Sequence, residues 1–187
     1  MSESFSRKDF FKSLPRQILG DVKPKRKIKK KEIEEKQIIF RPPGAIADDV
    51  VFLKTCKTGC RACAEACQHD AIIFTKIGKS KKSPVLSFEE KPCRWCQDFP
   101  CVAACPTDAL VLGEIKPLGR AVINMELCST TQGMLCDICY SVCPSSVRAI
   151  QMDQQRKPLI NEEKCTGCGM CAYYCDMSPS AIRIEKI

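Results

Sequence analysis

The fold of this 187-residue chain is decided by one stretch, Cys165-Thr166-Gly167-Cys168-Gly169-Met170-Cys171-Ala172-Tyr173-Tyr174-Cys175, in which gaps of two, two and three residues separate four cysteines. A loop with two-residue gaps can wrap one iron–sulfur cubane and direct three sulfurs at three of its irons. The fourth cysteine follows a helical turn, so it points to the far side and can reach a second cluster. The stretch therefore predicts a ligand loop for a pair of [4Fe–4S] clusters.

Three further cysteine groups precede this one. The first cysteines of the four groups lie at positions 56, 93, 128 and 165, so the groups recur every 35–37 residues. Recurrence at a nearly constant period indicates a repeated structural unit. We predict four [4Fe–4S] clusters and no catalytic residue. The expected cluster ligands are all sixteen cysteines, namely Cys56, Cys60, Cys63, Cys67, Cys93, Cys96, Cys101, Cys105, Cys128, Cys136, Cys139, Cys143, Cys165, Cys168, Cys171 and Cys175.

Disulfide bonds and zinc are two other uses of closely spaced cysteines. Cysteines three residues apart in one turn are poorly placed to bridge each other, whereas they converge well on a shared metal centre. Structural zinc sites also take four thiolates, but usually as two pairs with a longer gap between them. Each group here places its four cysteines within 11–16 residues. The spacing therefore favours clusters over both alternatives.

Short apolar runs flank the cysteine groups and predict strands. They lie at residues 71–74, 84–88, 109–112, 121–124, 149–152, 158–161 and 181–184. The residues between the third and fourth cysteine of a group suit a helical turn. We expect an α+β fold of two dicluster units like those of bacterial ferredoxins. Such small units have almost no apolar core, so the clusters would supply the core and folding would depend on them.

Residues 1–50 differ from the rest because they contain no cysteine. They include a basic run at residues 23–31, which has no interleaved aromatic residues and is followed directly by acidic ones, so we expect no nucleic-acid binding. A solvated linker and an arm lying on an acidic partner both fit this composition. We predict an extended basic N-terminal arm over residues 1–50, docked on a larger oxidoreductase subunit, and a four-cluster domain over residues 51–187.

The compartment is predicted from signals near the N-terminus. Residues 6–12 (SRKDFFK) are similar to a twin-arginine export motif with Lys8 in place of the second arginine, but no apolar segment follows. No run approaches 18 apolar residues, so we expect no membrane span. We favour a cytoplasmic protein. Periplasmic export as a passenger on a partner is the alternative.

The cysteine groups also resemble those of a known family. Residues 92–106 (PCRWCQDFPCVAACP) look like the second group of the NapG/MauM-type four-cluster ferredoxins. Residues 133–144 after the isolated Cys128 are similar to their third group, and residues 165–169 match their fourth. Residues 41–45 (RPPGA) are also like the family. The first group departs from it by a three-residue gap after Cys56.

The resemblance implies a function. Members of that family pass electrons, often beside molybdenum oxidoreductases and quinol-linked chains. This chain would then be an electron-transfer subunit of such a complex, relaying single electrons without a substrate site of its own, and not an enzyme by itself. A free soluble polyferredoxin that shuttles electrons between several enzymes is the alternative. A nucleic-acid-binding redox sensor fits less well, since sensors rarely need four clusters.

The resemblance further implies how the cysteine groups pair. In related iron–sulfur subunits of molybdenum oxidoreductases, the first group pairs with the fourth and the second with the third. Each pair exchanges its last cysteines. The implied ligand sets are Cys56, Cys60, Cys63 and Cys175; Cys165, Cys168, Cys171 and Cys67; Cys93, Cys96, Cys101 and Cys143; and Cys128, Cys136, Cys139 and Cys105.

Overall fold

The computed structural model describes residues 38–77 and 81–187 of the chain. Most of the predicted arm therefore lies outside the described residues. Single helical turns alternate with short strands, and no helix in these two ranges is long and apolar enough to cross a membrane. The helices are α1 (Asp49–Thr55), α2 (Ala62–Glu65), α3 (Pro100–Ala103), α4 (Ile138–Val142) and α5 (Met170–Tyr173). The strands are β1 (Ile72–Lys76), β2 (Lys82–Leu86), β3 (Arg120–Ile123), β4 (Ile150–Met152), β5 (Pro158–Ile160) and β6 (Ile182–Glu185).

The second half of the described chain has the plan expected of a dicluster unit. Its elements follow in the order β3, α4, β4, β5, α5, β6. The inner strands β4 and β5 form an antiparallel hairpin, and the outer strands β3 and β6 pair antiparallel with Ala121 opposite Ile184. Each helical turn thus lies between one outer and one inner strand in sequence. The cysteine loops precede these turns.

The first half repeats this plan with a shorter outer pair. Its inner strands β1 and β2 form an antiparallel hairpin. The outer pair consists of a bridge between Ala45 and Leu110, flanked by hydrogen bonds from Ile46 N–H to the Ala109 carbonyl (3.2 Å) and from Val111 N–H to the Gly44 carbonyl (2.7 Å). Residues 44–46 therefore stand where β3 stands in the second half.

The compact unit begins at Ile38, twelve residues before the predicted boundary at residue 50. Phe40 pairs with Leu86 at the end of the hairpin, and the next residues, Arg41 to Gly44, are buried. Asp48 then caps α1 by accepting hydrogen bonds from the N–H groups of Val50 and Val51. The sequence analysis assigned residues 38–50 to the arm because they contain no cysteine. Instead they supply the outer strand of the first half.

The strands fall close to their predicted places. All six lie within two residues of a predicted apolar run, which confirms those predictions. The run at residues 109–112 differs, because only Leu110 is bridged and the chain then enters a 3-10 turn at Leu112–Glu114. The pairing of this run is short because its partner segment, residues 44–46, is short. Residues 44–46 offer too few backbone groups to extend the pairing.

Two small cores hold the described chain together, and cysteines are prominent in both. The first contains Phe52, Ile72 and Leu86 together with Cys63, Cys93 and Cys101. The second contains Ala121, Ile150 and Ile182 together with Cys139, Cys165 and Cys171. Few large apolar side chains are buried in either, so apolar burial alone gives each half little stability.

Candidate iron–sulfur sites

A small cavity lies in the first half beside α2 and α3. Cys67, Cys93, Cys96 and Cys101 line it. Cys101 belongs to α3, and Cys67 follows the end of α2. Burial raises the pKa of Cys101 to about 11, and the nearby Cys67 thiol adds to that rise. We call these four thiols set II, because three of them come from the second cysteine group.

The other four thiols of the first half form set I, consisting of Cys56, Cys60, Cys63 and Cys105. Burial raises the pKa of Cys63 to about 12, and the neighbouring thiols of Cys56, Cys105 and Cys60 contribute in the same direction. Burial also raises the pKa of Cys56, where the charge of Lys81 opposes the effect and the thiols of Cys60 and Cys105 add to it. Because Cys67 lines the cavity of set II, we assign Cys105, the last cysteine of the second group, to set I.

The second half contains a matching small cavity. Its four thiols are Cys143, Cys165, Cys168 and Cys171, which we call set IV. Burial raises the pKa of Cys171, with contributions from the thiols of Cys168, Cys165 and Cys143. Set IV therefore corresponds to set II, with Cys143 in the place of Cys67.

The remaining thiols form set III, consisting of Cys128, Cys136, Cys139 and Cys175. Burial raises the pKa of Cys139 to about 11, and the thiols of Cys136, Cys128 and Cys175 contribute to the rise. The structure gathers the thiols of sets II and IV around two cavities, and we assign the remaining eight predicted ligands to sets I and III. Each set takes three thiols from one group and the last thiol of its neighbour.

The predicted pairing of the groups is wrong. Cys67 lines the cavity of set II with Cys93, and Cys143 lines that of set IV with Cys165. The first group therefore pairs with the second, and the third with the fourth. The reason is local, because the hairpins β1–β2 and β4–β5 fold consecutive groups against each other. A single helical turn carries the last cysteine only as far as that facing loop.

The spread of the thiols fits a cluster better than a single metal ion. In the part of the chain that the structure describes, no three Cys, His, Asp or Glu side chains converge as they would around one ion. A zinc ion would draw its sulfurs to about 3.8 Å from one another, because each Zn–S bond is about 2.3 Å long. The thiolates of a [4Fe–4S] cluster each bind a different iron and stay further apart. Thiols arranged around a cavity suit the second case.

Backbone N–H groups point at several of the sulfurs. Ala149 donates to Cys143 Sγ at 3.3 Å, Ala121 to Cys165 Sγ at 3.4 Å and Trp95 to Cys93 Sγ at 3.5 Å. Such donors stabilise a thiolate and raise the potential of a cluster bound to it.

The loop backbone has a positive φ at the same place in two groups. Trp95 has a positive φ of 52° two residues after Cys93, and Gly167 has 65° two residues after Cys165. The second and fourth groups therefore share a left-handed residue at this position.

Most of the shifted thiols have their pKa raised by burial, as for Cys93, whose pKa rises to about 12. Cys105 differs. Burial would raise its pKa too, but N–H groups of Thr107 and Leu110 and the Thr107 hydroxyl outweigh burial and lower the pKa. Because iron binds the thiolate, loading these sites must release protons from the buried thiols.

Comparison with protein families places cluster-binding domains on both halves. Residues 55–109 match the 4Fe-4S dicluster domain family, and residues 158–177 match the 4Fe-4S binding domain family. The first match spans the first and second cysteine groups. Its extent agrees with the pairing of those two groups in one unit.

Similar proteins point to one family. A methylamine utilization ferredoxin-type protein, MauM, from Methylobacillus flagellatus is 36% identical in an alignment of length 160 that covers 78% of this chain and 68% of that protein. The ferredoxin-type protein NapG from Escherichia coli is 32% identical in an alignment of length 163 that covers 78% of this chain and 69% of NapG. This chain belongs to the MauM and NapG family of ferredoxin-type proteins. The resemblance seen in the sequence is thereby confirmed.

A third relative of this MauM/NapG-family chain comes from Pyrococcus furiosus. It is an aliphatic sulfonate oxidoreductase, polyferredoxin-like subunit. It is 31% identical in an alignment of length 122 that covers 63% of this chain and 65% of that protein. Family membership and the two domain matches make the chain an iron–sulfur electron-transfer protein of the 4Fe-4S ferredoxin type.

Sequence reasoning missed the residues that support set I from outside the cysteine groups. Arg41 is buried, and its charge lowers the pKa of Cys56 against the larger effect of burial. Lys81 donates a hydrogen bond from Nζ to the Cys56 carbonyl. The likeness of residues 41–45 to the MauM/NapG family was the available signal. It did not reveal that the segment packs on the first cluster loop.

Proposed function

We propose that this MauM/NapG-family chain relays single electrons through four [4Fe–4S] clusters as a subunit of a larger oxidoreductase complex. The supporting observation is the gathering of the thiols of sets II and IV around two cavities, with the remaining eight assigned to sets I and III. Each set offers one thiolate to each iron of a cubane. Bound clusters supply the redox chemistry, while the chain supplies ligands, spacing and exclusion of water.

Iron and sulfide analysis of anaerobically purified protein tests the cluster count. We expect about sixteen irons and an equal amount of sulfide per chain. Electron paramagnetic resonance (EPR) of the reduced protein should show [4Fe–4S] signals. Far fewer irons, or zinc in their place, would overturn the proposal.

The subunit role rests on the family and on the polyferredoxin-like subunit of Pyrococcus furiosus. We propose a larger redox partner of the molybdenum, tungsten or quinol-linked type, contacted by the basic arm, with no nucleic acid involved. Removing residues 1–36 spares the compact unit, which begins at Ile38. We expect this deletion to abolish co-purification of the partner while the iron content stays unchanged. Unchanged assembly would contradict the role of the arm.

Co-purification also separates the subunit role from the alternative of a free soluble polyferredoxin. A stable stoichiometric complex supports a subunit, whereas a monomer that reduces several acceptors supports the shuttle. For the compartment we propose the cytoplasm. Fractionation of cells producing the full chain tests this, and recovery from the periplasm would support export with a partner.

A further inference from the structure

The two halves meet through the loops that carry sets II and IV. The N–H of Cys93, a set II residue, donates to the carbonyl of Cys168, a set IV residue, at 3.0 Å. Beside this bond, Arg94 donates from its guanidinium to the Tyr174 hydroxyl at 3.3 Å. Arg94 follows Cys93 and Tyr174 precedes Cys175, so this bond also joins the second cysteine group to the fourth. The thiols of Cys93 and Cys168 are near enough for one to influence the pKa of the other.

Side-chain packing strengthens the same contact. Cys168 and Met170 belong to the first core although their sequence lies in the second half. Gly169 between them has a φ of 83°, and a Cβ at this position would overlap the ring of Phe88. Phe88 in turn stacks on Phe40 with ring centroids 4.8 Å apart. The fourth loop is therefore pressed against the first half at a position where only glycine fits.

Sets I and III each neighbour one of these two sets within the same half. Set I neighbours set II, because the turns α2 and α3, which carry Cys63 and Cys101, pack against each other. Set III neighbours set IV, because the turns α4 and α5, which carry Cys139 and Cys171, do the same. The adjacency therefore runs I, II, IV, III.

We propose that electrons pass through the chain in the linear order I–II–IV–III, or its reverse, and that Gly169 and Phe88 are positioning residues for the single step between the halves. This inference rests on the proposed four-cluster relay. Sets I and III are then the two ends at which electrons enter and leave. The order differs from the numbering of the groups along the chain, since the backbone bond from Cys93 to Cys168 joins the second group to the fourth.

The test alters the junction without touching a cysteine. In Gly169→Ala, the added methyl group must push the fourth loop away from Phe88. Gly59→Ala is the matched control, because Gly59 has a φ of 81° and nothing within 4 Å of an added Cβ. Both variants bear the same backbone strain, and only the first opens the junction. Phe88→Ala combined with Gly169→Ala makes room for the methyl group, because it removes the two nearest ring atoms, Cδ1 and Cγ, and leaves only Cβ.

The readouts are the magnetic coupling between clusters in the EPR spectrum of the fully reduced protein and the rate of electron equilibration between the halves after rapid reduction. We expect Gly169→Ala to weaken the coupling and slow equilibration severalfold, Gly59→Ala to leave both unchanged, and the double variant to recover most of the loss. Unchanged coupling in Gly169→Ala, or equal loss in Gly59→Ala, would overturn the proposal.

Removal of an end cluster provides a second test. Cys136→Ala takes one ligand from set III, and the coupling between sets II and IV should survive it. Loss of all coupling between the halves would place set III at the junction and overturn the order. Iron analysis of the unaltered protein keeps this failure apart from failure of the relay itself. About sixteen irons with the wrong coupling contradicts the order alone, and far fewer irons contradicts the relay.

Discussion

Arg41 is the residue that joins the beginning of the compact unit to the first hairpin. Its Nε donates to Asp49 Oδ1 at 2.9 Å, and its Nη1 donates to Ser83 Oγ at 2.8 Å and to the Pro84 carbonyl at 3.0 Å. The guanidinium also lies 4.5 Å from the centroid of the Phe52 ring. The side chain of Asp49 is 45% exposed, so solvent screens the ion pair. The buried bonds to the hairpin are therefore the stronger contribution.

Replacing Arg41 tests this contribution. We expect Arg41→Met to lower the free energy of unfolding by about 1–3 kcal/mol, because the Ser83 hydroxyl and Pro84 carbonyl lose their buried donor. Anaerobic denaturant unfolding of the loaded protein measures the effect. Arg183→Met removes an exposed pair with Glu185 and should change stability by less than about 0.5 kcal/mol. Equal effects of the two substitutions would contradict the role given to Arg41.

Gly44 offers a second test at the scale of one residue. Its φ is 70°, and an added Cβ would lie 2.6 Å from the Val111 carbonyl oxygen, inside the outer pair of the first half. Gly133, with a φ of 80° and nothing within 4 Å, is the control. Both alanine variants bear the left-handed strain of about 1–2 kcal/mol. We expect Gly44→Ala to lower the melting temperature clearly more than Gly133→Ala. Equal shifts would show that residues 44–46 are not a constrained strand.

At the scale of elements, the sequence pattern predicted the strands and the helical turns, because these depend on residues that are close together in the sequence. The apolar runs after and before the cysteine groups became β1 to β6, and the residues between the third and fourth cysteines became single helical turns. The pairing of the groups was not predictable in this way. It depends on which loops the hairpins bring together, and every group has a last cysteine that could reach either neighbour. The strand at residues 44–46 escaped notice because three residues carry no periodicity.

The corrected pairing predicts which cluster each last cysteine serves. Trp95, the single tryptophan of the chain, lies in the loop of set II and reports on that site. An iron–sulfur cluster quenches a nearby indole, so loss of cluster II should increase the fluorescence of Trp95. We expect a large increase for Cys67→Ala, which removes a set II ligand. Cys105→Ala, which removes a set I ligand, should produce a smaller one.

A larger fluorescence increase for Cys105→Ala than for Cys67→Ala would show that Cys67 is not a ligand of set II. Iron analysis of both accompanies the measurement. Each should lose the iron of a single cluster, about four atoms per chain. Similar losses ensure that the fluorescence difference reflects the position of the missing cluster.

The whole molecule has little apolar material with which to fold. Its two cores are small, and cysteines such as Cys101 and Cys171 take up much of their interior. The sequence indicated this dependence on clusters through its many cysteines and few large apolar residues. It did not indicate that Cys168 and Met170 of the second half belong to the first core, because that follows from contacts between distant loops.

Iron removal tests the dependence of the whole fold. We expect chelation under anaerobic, reducing conditions to abolish most of the secondary structure seen by far-ultraviolet circular dichroism, because metal binding and folding are coupled in such small units. Re-addition of iron and sulfide should restore the spectrum. An iron-free chain that keeps its spectrum and a cooperative thermal transition would show that the apolar cores suffice.

The burial of Met170 in the first core has a consequence for the ancestry of the chain. Two similar units in one chain suggest duplication of a single ancestral module, and such modules could at first be exchanged or lost freely. Met170 is only 3% exposed, and it is covered by the unit to which it does not belong in sequence. Separating the halves would uncover this side chain and the Phe88 ring together. Loss of either module would therefore expose apolar side chains of the other, and we expect the two to have been retained together.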